Sequence, residues 1–343
     1  MFKFDLQDCL CDWRTQSGAQ GVSAAVRVNG RLCWSSVGED DGILAGGARF
    51  PIYSITKTLT AICILRLHET RLLDVTHPAR QWVPDLAVPE AATLAHLLRH
   101  TSRLGDYGPL PEYHEAARSR PSEPWTDQQF FDAVLSKHPL FEPGRGWAYS
   151  NIGYMLLRLV LQRATGQTFA QVLRDLVVSP LELQHTFVLE RIEDWSTCVP
   201  GYGSEVSADH KTVDVRSVYH PGWCAPGVAA SNAEEMTSVF AALIAGKLLQ
   251  PETLAEMLTL VPVPGKHPPT VTPSCGMGIL ADPDSPHGRS FGHGGGGPGY
   301  DLNVSVLPHT RLGQLAVATF VNSSCGARAQ DCEAGLLARL LER

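Results

Sequence analysis

Apolar residues recur along this chain at two different spacings, and the changes between them mark out its elements. Phe2, Leu6, Leu10 and Trp13 return at helical intervals with Asp5, Asp8 and Asp12 between them, which predicts an amphipathic first helix. GVSAAVRVNG and RLCWSSVGED then read as two strands joined at Asn29-Gly30, a pair that tolerates the positive φ angles of a tight hairpin. After a loop holding Gly42, Gly46 and Gly47, the residues Leu59, Ala61, Ile62, Ile64, Leu65 and Leu67 predict a second helix, with Pro51 ahead as its start signal.

From about Leu72 to Tyr219 helical periods dominate, in ATLAHLLRH, DQQFFDAVLSK, NIGYMLLRLVLQRATG and FAQVLRDLVV. Proline-rich connections such as GPLPEY and RPSEPW separate them. Beyond Gly227, NAEEMTSVFAALIAG predicts a helix capped by Asn232 and ended at Gly246, and VPVPGKHPPTVTP reads as a surface loop. CGMGILAD, YDLNVSVLP and LGQLAVATFVN are strand candidates, and Glu333 to Leu341 predicts a closing helix. Strands at both ends around a helical middle imply an α/β (α+β) fold: one mostly antiparallel sheet, built from the N- and C-terminal segments and flanked by helices. The expected organisation is a single domain over 1–343, with 1–71 plus 220–343 as the sheet subdomain and 72–219 as an inserted helical subdomain.

Composition narrows the function classes. At 343 residues, 44% hydrophobic and 18% charged, the chain suits a folded globular protein with a large core. A net charge of -7 without a Lys/Arg-rich run argues against a nucleic-acid partner. No stretch of eighteen uninterrupted apolar residues predicts a membrane span. The opening MFKFDLQDCLCDWRTQSGAQG lacks an apolar leader core, and nine cysteines lie scattered without a framework. Both point to reduced thiols and a cytoplasmic location.

The candidate chemistry starts at Ser54 and Lys57, which form a Ser-x-x-Lys at the head of the second helix. Residues three apart share a helix face, so the amine reaches the hydroxyl. Backbone N–H groups at a helix start also suit an oxyanion. Two further stretches strengthen the reading. One is Phe141-Glu142-Pro143-Gly144-Arg145-Gly146-Trp147-Ala148-Tyr149-Ser150-Asn151, with a Tyr-x-Asn at a loop-to-helix boundary. The other is Phe291-Gly292-His293-Gly294-Gly295-Gly296-Gly297-Pro298-Gly299-Tyr300, at the edge of the strand YDLNVSVLP.

These three motifs, in this order, make the chain resemble the serine β-lactamase and penicillin-binding protein superfamily. The likeness is to the branch of class C β-lactamases, DD-peptidases, D-aminopeptidases and β-lactamase-like esterases, and it runs from about residue 20 to 325. ATLAHLLRHTSRL also looks like a family segment, with Arg103 where glycine is usual. The resemblance implies Ser54 as nucleophile, and Lys57 or Tyr149 as the base that takes its proton. It implies that Asn151 orients Lys57 and contacts the substrate amide. His293, Gly294, Gly295 and Gly296 would form the substrate-binding strand, with the N–H groups of Ser54 and Gly296 as the oxyanion hole. Tyr300 is expected to line the pocket, and Trp147, Tyr107 and Trp223 are further candidates.

A histidine at 293, where a lysine would hold a fixed positive charge, predicts weak carboxylate binding and poor β-lactam turnover. No Glu-x-x-Leu-Asn offers a separate deacylation base, so Tyr149 would serve both half-reactions. The implied function is a serine hydrolase of small esters, amides or short peptides. An acyltransferase of the same fold and a non-catalytic binding or assembly relative are the alternatives. No cofactor and no metal are implied. Gly292-x-Gly294-x-x-Gly297 precedes a strand rather than a helix, which argues against a dinucleotide loop. His96 and His100, at i and i+4, lack the intervening carboxylate of a zinc motif.

Overall fold

The computed structural model describes residues 6–38, 42–135, 140–324 and 326–341. Phe2, Asp5 and the Ser136-Lys137 end of the predicted DQQFFDAVLSK helix lie outside them. Helix α1 (Leu6–Ser17) opens the chain and buries Leu6 and Leu10. The hairpin of β1 (Val22–Val28) and β2 (Arg31–Ser35) turns at Asn29 and Gly30, with φ of 48° and 77°. That is the left-handed geometry the Asn-Gly pair favours.

An eight-stranded antiparallel sheet forms the frame. Its other strands are β3 (Val261–Pro262), β4 (Ser274–Cys275), β5 (Leu280–Asp282), β6 (Ser290–Gly297), β7 (Tyr300–Thr310) and β8 (Gly313–Val321). The order across the sheet is β2-β1-β8-β7-β6-β5-β4-β3, so the first strand pairs with the last, Val22 opposite Val321. Side chains alternate between two cores, as a pleated strand requires. Along β8, Leu315, Val317 and Val321 join Leu6, Leu10 and the closing helix on one face; Ala316, Ala318 and Phe320 join the larger core on the other.

Helix α2 (Thr56–Glu69) crosses that larger core and is buried on nearly every side. A uniformly apolar helix belongs in the middle of a protein. Side-chain hydroxyls tie it in place: Thr56 Oγ1 accepts from Ala229 N at 3.1 Å, and Thr58 Oγ1 donates to Gly278 O at 2.7 Å. Pro51 does not start this helix. It sits in a short strand, Phe50–Pro51, and a 3-10 turn over Tyr53–Ile55 leads into α2. Helices α3 (Asn151–Thr165), α4 (Ala233–Ile244) and α5 (Ala329–Leu341) complete the larger layers. Asn232 caps α4 by accepting from Glu235 N at 2.7 Å.

Several elements depart from expectation. GPLPEY is not only a connection, because Pro111 occupies the first turn of a helix, Pro111–Ser119, where its missing N–H costs nothing. CGMGILAD is two strands around a turn at Gly276–Gly278. A three-stranded sheet of Phe50–Pro51, Val228–Ser231 and Phe187–Leu189 crosses the expected boundary at 219/220. The glycine-rich stretch is itself strand β6, which its composition hides.

Close approach explains the glycines of β6. A Cβ on Gly295 would lie 2.5 Å from the carbonyl oxygen of Ile52, and one on Gly297 would lie 2.5 Å from the Tyr53 ring. The strand therefore rests directly on the backbone leading to Ser54. Gly295→Ala is expected to push the two apart, lowering stability by about 1–3 kcal/mol in urea unfolding and reducing turnover together with it.

Candidate active site

Ser54 lies in the turn between Ile52 and α2, directly after Tyr53, whose φ of 41° places it in the left-handed region. A bulky residue held there is strained, and such strain collects at functional sites. Lys57 Nζ donates to Ser54 Oγ at 2.9 Å, and the Tyr149 hydroxyl donates to the same oxygen at 2.8 Å. Lys57 is buried at 3% exposure, its ammonium 5.0 Å from the Tyr149 ring centre and 5.7 Å from that of Tyr154. Residues 95 positions apart thus meet on one oxygen.

The loop carrying Tyr149 is clamped by His100. Ala148 N donates to the His100 carbonyl at 3.0 Å, Ser150 N donates to His100 Nδ1 at 3.1 Å, and the His100 ring packs 4.5 Å from that of Tyr149. His96 meanwhile caps its own helix, its Nδ1 accepting from Thr93 N at 3.2 Å. The two histidines therefore do not act as a pair.

Asn151 differs from expectation. Its side-chain amide donates to Asp106 Oδ2 at 3.0 Å and its backbone N–H to Asp106 Oδ1 at 2.9 Å, and no bond joins it to Lys57. The Nδ2 group is thereby turned to Asp106, which leaves the amide oxygen as the polar atom free for the site. Burial raises the Asp106 pKa, against the bonds from Asn151 and the charge of Lys57 that favour its carboxylate. Sequence reasoning missed Asp106. It sits in the loop Gly105-Asp106-Tyr107 with no spacing that links it to a motif.

His293 is buried on β6, and its Nδ1 donates to Gly294 O at 2.6 Å. Burial is the main cause that lowers its pKa to about 4, with Lys57 adding to it and the Gly294 bond opposing. His100 is pushed well below the ordinary histidine value by burial first, then by Lys57 and His293. Both imidazoles are neutral at pH 7, so the third motif carries no fixed positive charge. Gly296 is exposed, and a Cβ on it would meet the Asp301 carboxylate at 3.9 Å. Gly294 also has room for a Cβ, whereas Gly295 has none.

Ser54, Lys57, Asn151 and Gly296 line a cavity of about 420 Å³, whose walls include Tyr107, Tyr113, Trp223 and Cys224. Tyr149, Trp147, His293 and Gly294 line a neighbouring cavity of about 730 Å³ instead. Tyr300 borders the smaller cavity, but it is 1% exposed and its hydroxyl donates to Val199 O at 2.7 Å. Stacked on Trp195 and tilted against Tyr53, it is a wall rather than a polar contact. Among the described residues no cluster of His, Cys, Asp and Glu could hold a metal ion, and the eight cysteines there are free thiols. No helix among them is long and apolar enough to cross a membrane.

Comparison with known proteins agrees with this fold. The family model described as Beta-lactamase matches residues 6–339, and the chain belongs to that family. Penicillin-binding protein 4* of Bacillus subtilis is 30% identical over 148 residues, 41% of this chain and 31% of the relative. Esterase EstB of Burkholderia gladioli is 34% identical over 148 residues, 39% of this chain and 37% of the relative. The matched stretches thus span about a third of those relatives' own lengths. The crystal structure of a D-stereospecific amidohydrolase from Streptomyces sp. superposes with a TM-score of 0.82 at 26% identity, covering 98% of this chain and 99% of that one. D-amino acid amidase from Ochrobactrum anthropi SV3, complexed with L-phenylalanine, gives 0.79 at 25% identity over 98% and 97%.

Two predictions follow from the site's electrostatics and bonding. In the folded protein His293 binds its proton only near pH 4, whereas in the unfolded chain it does so near the ordinary value of about 6.5. The unfolded state therefore holds more protons between these values, and stability is lost as pH falls from about 6.5 toward 4. His293→Gln should lessen that loss in denaturant titrations across the same window, His100 keeping its own share. Asp106→Ala should free the Asn151 amide to rotate and lower kcat/KM about tenfold or more, as expected when a buried charge-assisted hydrogen bond is lost; steady-state assays would read it.

Proposed function

We propose that this protein is a serine hydrolase that works through an acyl-enzyme on small esters or amides, of the esterase or D-amino-acid amidase type, and that it turns over β-lactams poorly. One observation carries the reading: the Ser54 hydroxyl is held between an amine at 2.9 Å and a phenol at 2.8 Å beside an open cavity. Those distances are within reach of direct proton transfer.

In the first half-reaction Ser54 Oγ bonds to the acyl carbon and gives its proton to Lys57 or Tyr149. The bond to the leaving group then breaks, and the leaving atom takes that proton back through Tyr149. Water repeats the sequence in reverse, with Tyr149 as its base, and releases the acid. The N–H groups of Ser54 and Gly296 stabilise the oxyanion in both steps. Asn151, anchored by Asp106, presents its amide oxygen to a substrate N–H.

The choice of substrate class rests on His293. A neutral imidazole at that position offers no fixed charge to the carboxylate that β-lactams carry. The similarity to Esterase EstB and to D-amino acid amidase supports esters and amides as substrates.

A fluorophosphonate probe should label the wild-type protein and fail to label Ser54→Ala. Tyr149→Phe should slow deacylation by about a hundredfold or more, the usual scale for a lost general base, so that acyl-enzyme accumulates in mass spectra of the reacting protein. Cephalosporin hydrolysis as fast as that of the best p-nitrophenyl ester, or full turnover by Tyr149→Phe, would refute these assignments.

A further inference from the structure

The cavity that Ser54 lines has an aromatic interior, and it begins beside the site residues themselves. Tyr53 precedes Ser54, and Tyr107 follows Asp106, the residue bonded to Asn151. From Tyr107 the rings continue to Tyr113, with centroids 4.8 Å apart, and from Tyr113 to Trp223 at 5.7 Å. On the other side Tyr53 meets Tyr300 at 6.2 Å. All five rings border the same space as Ser54 and Lys57.

The polar end of each ring is bonded to the protein's own backbone. Tyr53 donates to Pro298 O at 2.7 Å, Tyr300 to Val199 O at 2.7 Å and Tyr113 to Trp223 O at 3.3 Å. Trp223 Nε1 donates to Pro121 O at 2.9 Å, and the Tyr107 hydroxyl bonds the backbone of Ala225. With these donors committed, what the rings offer a ligand is carbon surface. Of the charged residues in the lining, Lys57 is bonded to Ser54, and Asp301 is half-buried with Oδ1 accepting from Ala329 N at 2.7 Å. Glu205 and Arg328 are exposed and stand at the mouth. A charged group carried among the rings would lose its water and gain no partner, whereas a flat apolar group would leave no polar atom unmet.

We propose that this cavity is the acyl subsite and that it selects acyl groups whose side chain ends in an uncharged aromatic ring. The proposal rests on the hydrolase reading and narrows its substrate class. The acyl carbon bonds to Ser54 Oγ with its oxygen toward the N–H groups of Ser54 and Gly296, and both residues line this cavity. Tyr149, which returns the proton to the leaving group, lines the two neighbouring cavities of about 730 and 760 Å³ and not this one. Ala117 lies one helical turn beyond Tyr113 on the helix Pro111–Ser119 and also lines the interior. Its small side chain leaves room for the ring.

The test uses two isomeric esters, methyl 3-phenylpropanoate and 2-phenylethyl acetate, which carry the same ring on opposite sides of the ester group. The wild-type protein is expected to favour methyl 3-phenylpropanoate about thirtyfold in kcat/KM, the scale for burying a phenyl ring. It should favour that ester by a similar factor over methyl propanoate, which lacks the ring. Methyl 3-(4-carboxyphenyl)propanoate, charged at the far end of the ring, should lose the gain. Ala117→Leu narrows the interior and should lower the ratio of methyl 3-phenylpropanoate to methyl propanoate about tenfold; the isomer comparison needs no variant and stands whether or not this one folds. Equal or faster turnover of 2-phenylethyl acetate, no gain from the ring, a gain kept by the carboxylated ring, or an unmoved ratio in folded Ala117→Leu would overturn the assignment. Fluorophosphonate labelling of Ser54 would in each case leave the hydrolase standing. Absence of that labelling from the wild-type protein would overturn both.

Discussion

The candidate active site depends on holding one serine oxygen between two donors from distant parts of the chain. Ser54 and Lys57 come together through local backbone geometry. Tyr149 reaches them only because its loop is pinned from behind by His100, through a carbonyl, a ring nitrogen and ring packing. On the other side β6 lies against Ile52 so closely that a single methyl group would not fit. The left-handed backbone at Tyr53 persists under this pressure from both sides. Pre-organisation of this kind is built from packing, and it leaves little freedom to the reacting groups.

Burial shapes the electrostatics of the same region. His100 and His293 surround an amine yet hold no charge themselves, since removing an imidazolium from water costs more than the site returns. Asp106 is drawn the other way, with burial raising its pKa while Asn151 and Lys57 favour the ion. The polar atoms around Ser54 are therefore sorted into a neutral ring on the strand, another behind the Tyr149 loop, and a bonded carboxylate behind Asn151.

The motifs and the sheet's assembly from both termini were legible in the sequence, because each has a local signature. Ser-x-x-Lys and Tyr-x-Asn stand out by residue type, and Asn29-Gly30 states its turn outright. What was hidden depends on tertiary contact. Five of the eight residues of strand β6 are glycine, so propensity argues against it, and only the nearness of Ile52 and Tyr53 explains Gly295 and Gly297. The helix at Pro111 was masked by prolines that read as a loop. Asp106 is a single acid in unremarkable surroundings, and it gains significance only from what the fold packs around it. Tyr300 was placed beside the cavity by its motif, but its hydroxyl turns to Val199, a partner 101 positions away.

The pairing of the first strand with the last has a consequence for biosynthesis. While the ribosome extends the chain, the hairpin of β1 and β2 emerges early and keeps one open edge until β8 follows nearly three hundred residues later. Helix α2 is likewise complete long before β6 arrives to bear upon the turn ahead of it. A nascent chain of this topology must hold an unsatisfied strand edge in solution throughout elongation, which exposes it to mispairing with its neighbours on the same polysome. Competence of the serine is thus among the last properties the polypeptide acquires.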